Sequence, residues 1–325
     1  MSEAGTRRVA VLSDYLRIAP GLADWHQLAP WAVVDFFHAP FADDDALVEA
    51  LAPHEALCLM RERVALPRQL LERLPKLRFV VSAGTVNRAI DFEAARERGI
   101  RLAGTGSGDA REATAELTWA LLLALSRNVV REDQAVRGGE WQTSLGGMLK
   151  GRTLGLVGLG GVGRIVARYA AVFGMNALAW SPRLTEARAL EAGAVSVPLG
   201  ELLARSDIVS IHLPLTEETR SLLDVAAFAA MKRGALLINT SRGPLVDEAA
   251  MLAALRDGQL GGAALDVFDR EPLPGDHPLV GMPNVVLSPH VGGFTEEVYR
   301  TWYGGMVEAL LAWFRDEPAR PLSCG

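Results

Sequence analysis

Short runs of hydrophobic residues recur along the chain, and segments whose apolar positions have helical spacing lie between several of them. In the first third, such runs predict strands at residues 8–12, 56–60 and 79–82, while residues 42–51 have the spacing of a helix. Strands that alternate with helices are typical of a parallel sheet covered by helices. The first part of the sequence therefore predicts a small α/β unit.

A second series of hydrophobic runs begins after residue 151. It predicts six further strands, at 153–157, 176–180, 208–212, 235–239, 262–267 and 284–288. Helical patterns at 110–130 and 295–314 flank the series, and we expect the second of them to pack on the first unit. The glycine-rich segment 104–108 precedes the first helix, so it is the expected boundary between two domains.

Composition narrows the class of protein. The 325 residues are 50% hydrophobic and carry a formal net charge of -6, with no basic stripe that would bind nucleic acid or an anionic membrane surface. The longest apolar run, 117–125, is too short to span a bilayer, and the four-residue run 9–12 is too short for a signal peptide. With only two cysteines, a disulfide framework is not expected, and the reducing cytoplasm is the predicted location.

A glycine-rich loop, Gly158-Leu-Gly160-Gly-Val-Gly163, follows the predicted strand 153–157 and precedes a helical pattern at 164–173. A helix N-terminus presents unpaired N–H groups and positive dipole to a pyrophosphate, and glycines allow the close approach. A glycine-rich turn of any α/β domain is the alternative. The order of strand, loop and helix favours a dinucleotide site.

The residue that ends the second strand of this series bears on the choice between NAD and NADP. An acidic residue is expected there when the adenosine 2'-hydroxyl is bound, but the chain has Ser181, followed by Arg183. A serine removes repulsion of a 2'-phosphate, and the arginine could bind that group. Alternatively, Arg183 is a solvated loop residue and NAD is held without the acidic contact. Both cofactors remain open.

Three residues that suit acid-base chemistry on an organic acid follow predicted strands. Arg242 has a planar fork of donors that fits a carboxylate and an adjacent carbonyl oxygen. His290 can donate a proton to a substrate oxygen while a hydride reaches the carbon, and Glu271 could hold the other ring nitrogen. Arg242 could instead form a surface ion pair, and Glu271 could be a solvated loop acid. Ligands of open α/β sheets bind beyond the carboxyl ends of strands, which favours the functional interpretation.

Taken together, these motifs resemble the D-isomer-specific 2-hydroxyacid dehydrogenases, a family that includes glyoxylate/hydroxypyruvate reductases, D-lactate dehydrogenases and D-3-phosphoglycerate dehydrogenases. The resemblance covers nearly the whole chain. The segments that carry it are VVSAGT at 80–85, AEL at 115–117, LVGLG at 156–160, MKRG at 231–234, NTSRG at 239–243, LDVF at 265–268 and PH at 289–290.

The resemblance implies an α/β protein of two domains, in which a Rossmann dinucleotide-binding domain (109–294) is inserted in a smaller flavodoxin-like substrate domain (1–108 plus 295–325). It also implies an enzyme that uses NAD or NADP and transfers a hydride between the nicotinamide and C2 of a small 2-oxo acid or D-2-hydroxy acid. A homodimer is implied as well. No metal, nucleic acid or membrane partner is expected.

By the same resemblance, Arg242 binds substrate, His290 is the acid-base and Glu271 orients it. The substrate carboxylate would meet the backbone at Ala83, Gly84 and Thr85. The resemblance also implies cofactor contacts at Gly161, Val162, Ser181, Leu213, Pro214, Thr219, Thr240 and Asp266. The glycine motif and the argument on the 2'-phosphate add Gly158, Gly160, Gly163 and Arg183 to the expected cofactor site.

Two positions depart from the family pattern. Gly161 stands where the family usually has an arginine, and Ser181 stands where it usually has the ribose-binding aspartate. The competing class of function is a binding protein of the corepressor type, which resembles this family and keeps the same three residue types. Turnover of 2-oxo acids with no protein partner present distinguishes the enzyme from a dinucleotide sensor.

Overall fold

A computed structural model describes residues 7–324 of the chain. The chain divides into two compact units: one runs to Asp109 and resumes at Phe294, and the other is Ala110–Gly293. Among the described residues, no helix is both long enough and apolar enough to cross a membrane.

The first unit contains a parallel five-stranded sheet in the order β2-β1-β3-β4-β5. Its strands are β1 (Arg7–Val11), β2 (Ala32–Phe36), β3 (Ala56–Leu59), β4 (Phe79–Ser82) and β5 (Arg101–Gly104). Every residue of β3 and β4 is buried, which explains why both appear as continuous hydrophobic runs. The sequence patterns did not predict two strands. The strand β2 is a partly exposed edge strand, and β5 ends at Gly104, the first residue of the glycine-rich segment that predicted a domain boundary.

Helices cover this sheet. They are α1 (Ala19–Leu22), α2 (Asp44–Leu51), α3 (Arg68–Glu72), α4 (Phe92–Glu97) and the C-terminal α12 (Glu296–Phe314). The helix α12 begins at Thr295, whose side chain accepts a hydrogen bond from the Val298 N–H. It packs on β4 and β5 within the first unit, where Trp313 stacks on Phe79 at 5.1 Å between ring centroids.

The second unit contains a parallel seven-stranded sheet in the order β12-β11-β10-β9-β6-β7-β8. Its strands are β6 (Thr153–Val157), β7 (Asn176–Trp180), β8 (Val195–Ser196), β9 (Ile208–Ile211), β10 (Ala235–Asn239), β11 (Leu260–Leu265) and β12 (Val285–Leu287). The sheet is doubly wound, because the strand order reverses between β6 and β9. The sequence predicted six of these seven strands. It did not predict β8, because a strand of two residues has no periodic pattern.

The helices of the second unit are α5 (Ala110–Ser126), α6 (Val129–Arg137), α7 (Gly161–Val172), α8 (Glu186–Glu191), α9 (Leu199–Arg205), α10 (Val225–Ala230) and α11 (Glu248–Arg256). The single helix predicted at 110–130 is wrong at its end. Asn128 has φ +53, a left-handed conformation that stops α5 and starts α6 in a new direction. The helix α7 begins at Gly161, three residues before its apolar pattern starts, because glycines give no hydrophobic signal.

Candidate active site

The glycine loop lies where the sheet order of the second unit reverses. Gly158 follows β6 with φ +109, and a Cβ there would lie 2.6 Å from the carbonyl carbon and oxygen of His212, which follows β9. A Cβ on Gly163 would overlap the carbonyl oxygen of Gly158. Both positions therefore require glycine, the first for its conformation and the second for contact between α7 and the loop.

The N-terminus of α7 opens on a cavity of about 240 Å³. Gly160 occupies the N-cap position and supplies no side chain to the first-turn N–H groups, so these remain available to an anion. Five of the residues expected to bind the cofactor line this cavity: Gly160, Gly161, Val162, Pro214 and Thr240. The site fits a dinucleotide pyrophosphate, since it combines open N–H donors with glycines that bring no side chain of their own to the turn.

Four more residues line the cavity: Arg111, Thr114, His212 and Ser241. Arg111 and Thr114 could not be predicted from the glycine motif, because both lie on α5, more than forty residues before the glycine loop. His212 bonds the Ser210 hydroxyl through Nε2 at 2.9 Å. Burial lowers the pKa of His212 to about 4, so its ring is neutral near pH 7.

The remaining cofactor candidates shape the loops around the cavity. The Ser181 hydroxyl accepts a hydrogen bond from the Leu159 N–H at 2.9 Å, which ties the end of β7 to the glycine loop, while Arg183 is exposed. Leu213 is buried, and Thr219 donates to the Pro214 carbonyl at 2.8 Å. Leu213 and Thr219 therefore hold the segment after β9 in place.

The structure brings Glu271 and His290 into direct contact. The His290 Nδ1 and the Glu271 Oε2 are 2.6 Å apart, and both side chains are partly exposed, by 46% and 35%. The other Glu271 oxygen accepts the Phe268 N–H at 3.0 Å. The pair leaves His290 Nε2 as the ring nitrogen that a substrate oxygen can reach.

Glu271 is held as a carboxylate. Burial by itself raises the pKa of Glu271, but the hydrogen bonds from His290 and the Phe268 N–H outweigh it, and the pKa lies below the usual 4.5. The positive charge of Arg242 acts in the same direction, which places the guanidinium within electrostatic reach of the carboxylate. Arg242 itself follows β10 and donates from Nη1 to the Ser241 carbonyl at 2.7 Å.

Asp266 fixes the segment that carries His290. Its carboxylate is buried beyond the end of β11 and accepts the Ser288 hydroxyl at 2.6 Å and the N–H groups of Val291 and Gly292, each at 2.9 Å. His290 lies between these anchors with φ +54, a conformation that few non-glycine residues adopt. Tertiary bonds to Asp266 therefore stabilise the backbone that aims the imidazole.

In the first unit, the three residues expected to bind the substrate carboxylate follow β4. Ala83 donates its N–H to the Leu59 carbonyl and Gly84 to the Thr105 hydroxyl, both at 2.9 Å. Gly84 has φ +87, and a Cβ there would lie 2.5 Å from a guanidinium nitrogen of Arg61. The backbone at Gly84 is thus covered by the guanidinium of Arg61, which no motif of the sequence predicted at this site.

A family model, curated relatives and a solved structure all relate this chain to oxidoreductases of 2-hydroxy acids. A model of the family described as D-isomer specific 2-hydroxyacid dehydrogenase, NAD binding domain, matches residues 119–292. Glyoxylate reductase of Korarchaeum cryptofilum is 42% identical over 77% of this chain and 76% of its own length. D-3-phosphoglycerate dehydrogenase of Mycobacterium tuberculosis is 39% identical over 78% of this chain and 48% of its own. The crystal structure of a phosphoglycerate oxidoreductase from Vibrio cholerae O395 covers 96% of this chain and all of its own, with 33% identity and a TM-score of 0.89.

Proposed function

We propose that this chain, which belongs to the D-isomer specific 2-hydroxyacid dehydrogenase family, acts as a reductase of glyoxylate and similarly small 2-oxo acids. Membership makes it an NAD(P)-dependent oxidoreductase of 2-oxo and 2-hydroxy acids with a Rossmann domain, as the sequence predicted, and the corepressor alternative is not favoured. The choice of acid is supported by likeness to the glyoxylate reductase, which shares 42% identity over 77% of this chain.

The contact between His290 and Glu271 carries the proposal for the chemistry. A bound NAD(P)H supplies the hydride that C2 of the acid accepts. His290 donates a proton from Nε2 to the carbonyl oxygen, so that the alcohol forms, and takes it back in the reverse direction. Glu271, held as a carboxylate, accepts a hydrogen bond from Nδ1 and so fixes the ring orientation. Arg242 binds the substrate carboxylate and its carbonyl oxygen through the two ends of its fork.

The test is a panel of glyoxylate, hydroxypyruvate, pyruvate and bulkier 2-oxo acids, each assayed with NADH and with NADPH. We expect glyoxylate and pyruvate, the two smallest acids of the panel, to give the highest kcat/KM. The His290→Ala variant should lower kcat by about a hundredfold or more, because the proton donor is lost. A matched control exists: His277 is paired with Glu248 at 3.0 Å, and His277→Ala should leave kcat near wild type.

Three results would contradict all or part of the proposal. If the His290→Ala variant kept the wild-type kcat, His290 would not be the acid-base residue. Cofactor binding without turnover of any acid in the panel would instead support the dinucleotide-sensing class. A preference for acids with a second anionic group would keep the chemistry but exclude glyoxylate as the main substrate.

The second unit also supports the homodimer that the family resemblance implies. Large apolar side chains are exposed on the segment 139–149, with Trp141 at 78%, Leu145 at 98% and Met148 at 72%. The segment is nevertheless ordered, since the Glu132 carboxylate accepts hydrogen bonds from the hydroxyls of Thr143 and Ser144. Exposed apolar surface on an ordered segment is typical of an interaction surface, and a second copy of this chain is the occupant we propose.

Light scattering after size-exclusion chromatography tests the homodimer. The wild-type chain should have twice the mass of one 34.9 kDa chain, and Leu145→Glu should shift it toward the monomer because a charge would be buried. Val225→Glu is the matched control, because Val225 is 67% exposed on α10. A monomeric wild type, or a Leu145→Glu variant that keeps the dimeric mass, would contradict this interface.

The cytoplasmic location remains a prediction. Cys58 is buried and Cys324 is exposed, and neither forms a disulfide. Free thiols are compatible with a reducing compartment. Fractionation of cells that express the full chain would test it.

A further inference from the structure

Arg111 lies directly over the glycine loop. It is in the first turn of α5, and its side chain occupies the space where a side chain at position 161 would begin. A Cβ on Gly161 would lie 2.6 Å from Arg111 Cδ, 2.8 Å from its Nε and 3.2 Å from its guanidinium carbon. The glycine therefore makes room for an arginine that comes from another helix.

The position of Arg111 is not explained by pairing or by helix stability. Among the described residues, no carboxylate or carbonyl oxygen forms an ion pair or hydrogen bond with its side chain, whereas Arg205 and Arg137 of the same unit each bind an acid one helical turn away. A cation in the first turn of a helix is also unfavourable to the helix dipole. The side chain is thus available for an anion.

The cavity beside it has the electrostatic character of an anion site. The N-terminus of α7 lines the cavity, with Gly160 as a cap that supplies no side-chain acceptor, and Arg111 lines it beside Gly161. His212 also lines the cavity, but burial keeps its pKa near 4, and so it is neutral. Arg111 is therefore the lining residue that adds charge to the helix dipole.

We infer that Arg111 binds the pyrophosphate of the dinucleotide and closes the phosphate site from the side of α5. The first-turn N–H groups of α7 would hold one face of the pyrophosphate, and the guanidinium would donate charge-assisted hydrogen bonds to the other. This inference rests on dinucleotide binding and not on which 2-oxo acid is reduced.

The test measures binding of ADP-ribose by titration calorimetry, since this ligand carries the pyrophosphate but no nicotinamide. We expect Arg111→Ala to raise its Kd about tenfold, the effect of one charge-assisted contact at a partly solvated site, and to raise the Kd of NADH by the same factor. Adenosine, which has no phosphate, should bind both proteins equally. The difference between the proteins in ADP-ribose affinity should shrink at high salt, because ions screen the contact.

Two variants separate the contact from a loss of charge or of fold. Arg111→Lys should lie between wild type and Arg111→Ala, since it keeps the charge without the planar fork. Arg256→Ala removes the same charge from the C-terminal turn of α11 and should leave every Kd unchanged. An Arg111→Ala protein that binds ADP-ribose within about twofold of wild type, or that loses adenosine by the same factor, would overturn the inference. A wild type that binds ADP-ribose but reduces no 2-oxo acid would contradict the proposed function instead.

Discussion

Replacing Asp266 by asparagine is expected to loosen the segment that carries His290. The carboxylate accepts three hydrogen bonds, from the Ser288 hydroxyl and from the N–H groups of Val291 and Gly292. An asparagine has one oxygen, so its amide nitrogen must face at least one of these donors. The substitution changes almost no volume, and its effect can be assigned to the hydrogen bonds.

The expected magnitude follows from burial. Asp266 is 1% exposed, so a donor that loses its acceptor there is not rescued by bulk water. One unsatisfied buried donor costs about 1–3 kcal/mol, which is the expected loss for Asp266→Asn. Asp266→Ala leaves three donors without an acceptor and should cost about 3–5 kcal/mol, since such penalties add incompletely.

We expect Asp266→Asn to lower kcat by more than its loss of unfolding free energy alone would cause. His290 has φ +54 between two of the anchored residues, and a shift of its ring by about 1 Å can cost about a hundredfold in rate. We therefore expect kcat of Asp266→Asn to fall by about 10–100-fold with saturating acid and cofactor. Because Asp266 is also a candidate cofactor contact, the Kd of NADH is measured separately by nicotinamide fluorescence.

Asp224 provides the control. It caps α10 through one bond to the Ala227 N–H at 2.8 Å, and Asp224→Asn should cost about 1 kcal/mol or less and leave kcat unchanged. Urea unfolding and steady-state kinetics are measured on both variants. If Asp266→Asn keeps the wild-type kcat and its free energy of unfolding stays within about 0.5 kcal/mol, the anchoring role is wrong.

Three further predictions address the cofactor, pH and the substrate. Ser181→Asp should weaken NADPH relative to NADH by about tenfold or more, because a carboxylate repels a 2'-phosphate; an unchanged ratio of Kd values would contradict this. The pKa of His212 is lowered from 6.5 to about 4, so below pH 6.5 the unfolded chain takes up a proton that the native state does not. His212→Asn should therefore gain about 1.4 kcal/mol of unfolding free energy over wild type per pH unit between pH 6.5 and 4, measured by urea titration, and a pH-independent difference would refute it. Gly84→Ala should raise the KM for the 2-oxo acid without changing the Kd of NADH, since φ is +87 and the Cβ would displace Arg61; an unchanged KM would remove Gly84 from the substrate site.

Local patterns of the sequence predicted most strands of both sheets and the glycine loop between β6 and α7. They did so because a strand buried on both faces is a continuous hydrophobic run in the sequence. In the loop, the positions that need unusual backbone conformations are occupied by glycine, and this residue type is itself the signal. The order of Arg242, Glu271 and His290 after successive strands was equally readable, since parallel strands end at the same edge of the sheet. By contrast, the edge strand β2, the two-residue β8 and the break between α5 and α6 at Asn128 leave no periodic signal in the sequence.

The sequence by itself determined the reaction class: it contains the dinucleotide loop and places an arginine, a glutamate and a histidine after strands of one sheet. Only the tertiary structure decided how those groups are held. It brings His290 within 2.6 Å of Glu271, binds the histidine segment to the buried Asp266, and lays Arg111 of α5 over Gly161. The physical reason is that these contacts join segments far apart in the chain, and their geometry is fixed by the packing of helices and strands and not by the spacing of residues.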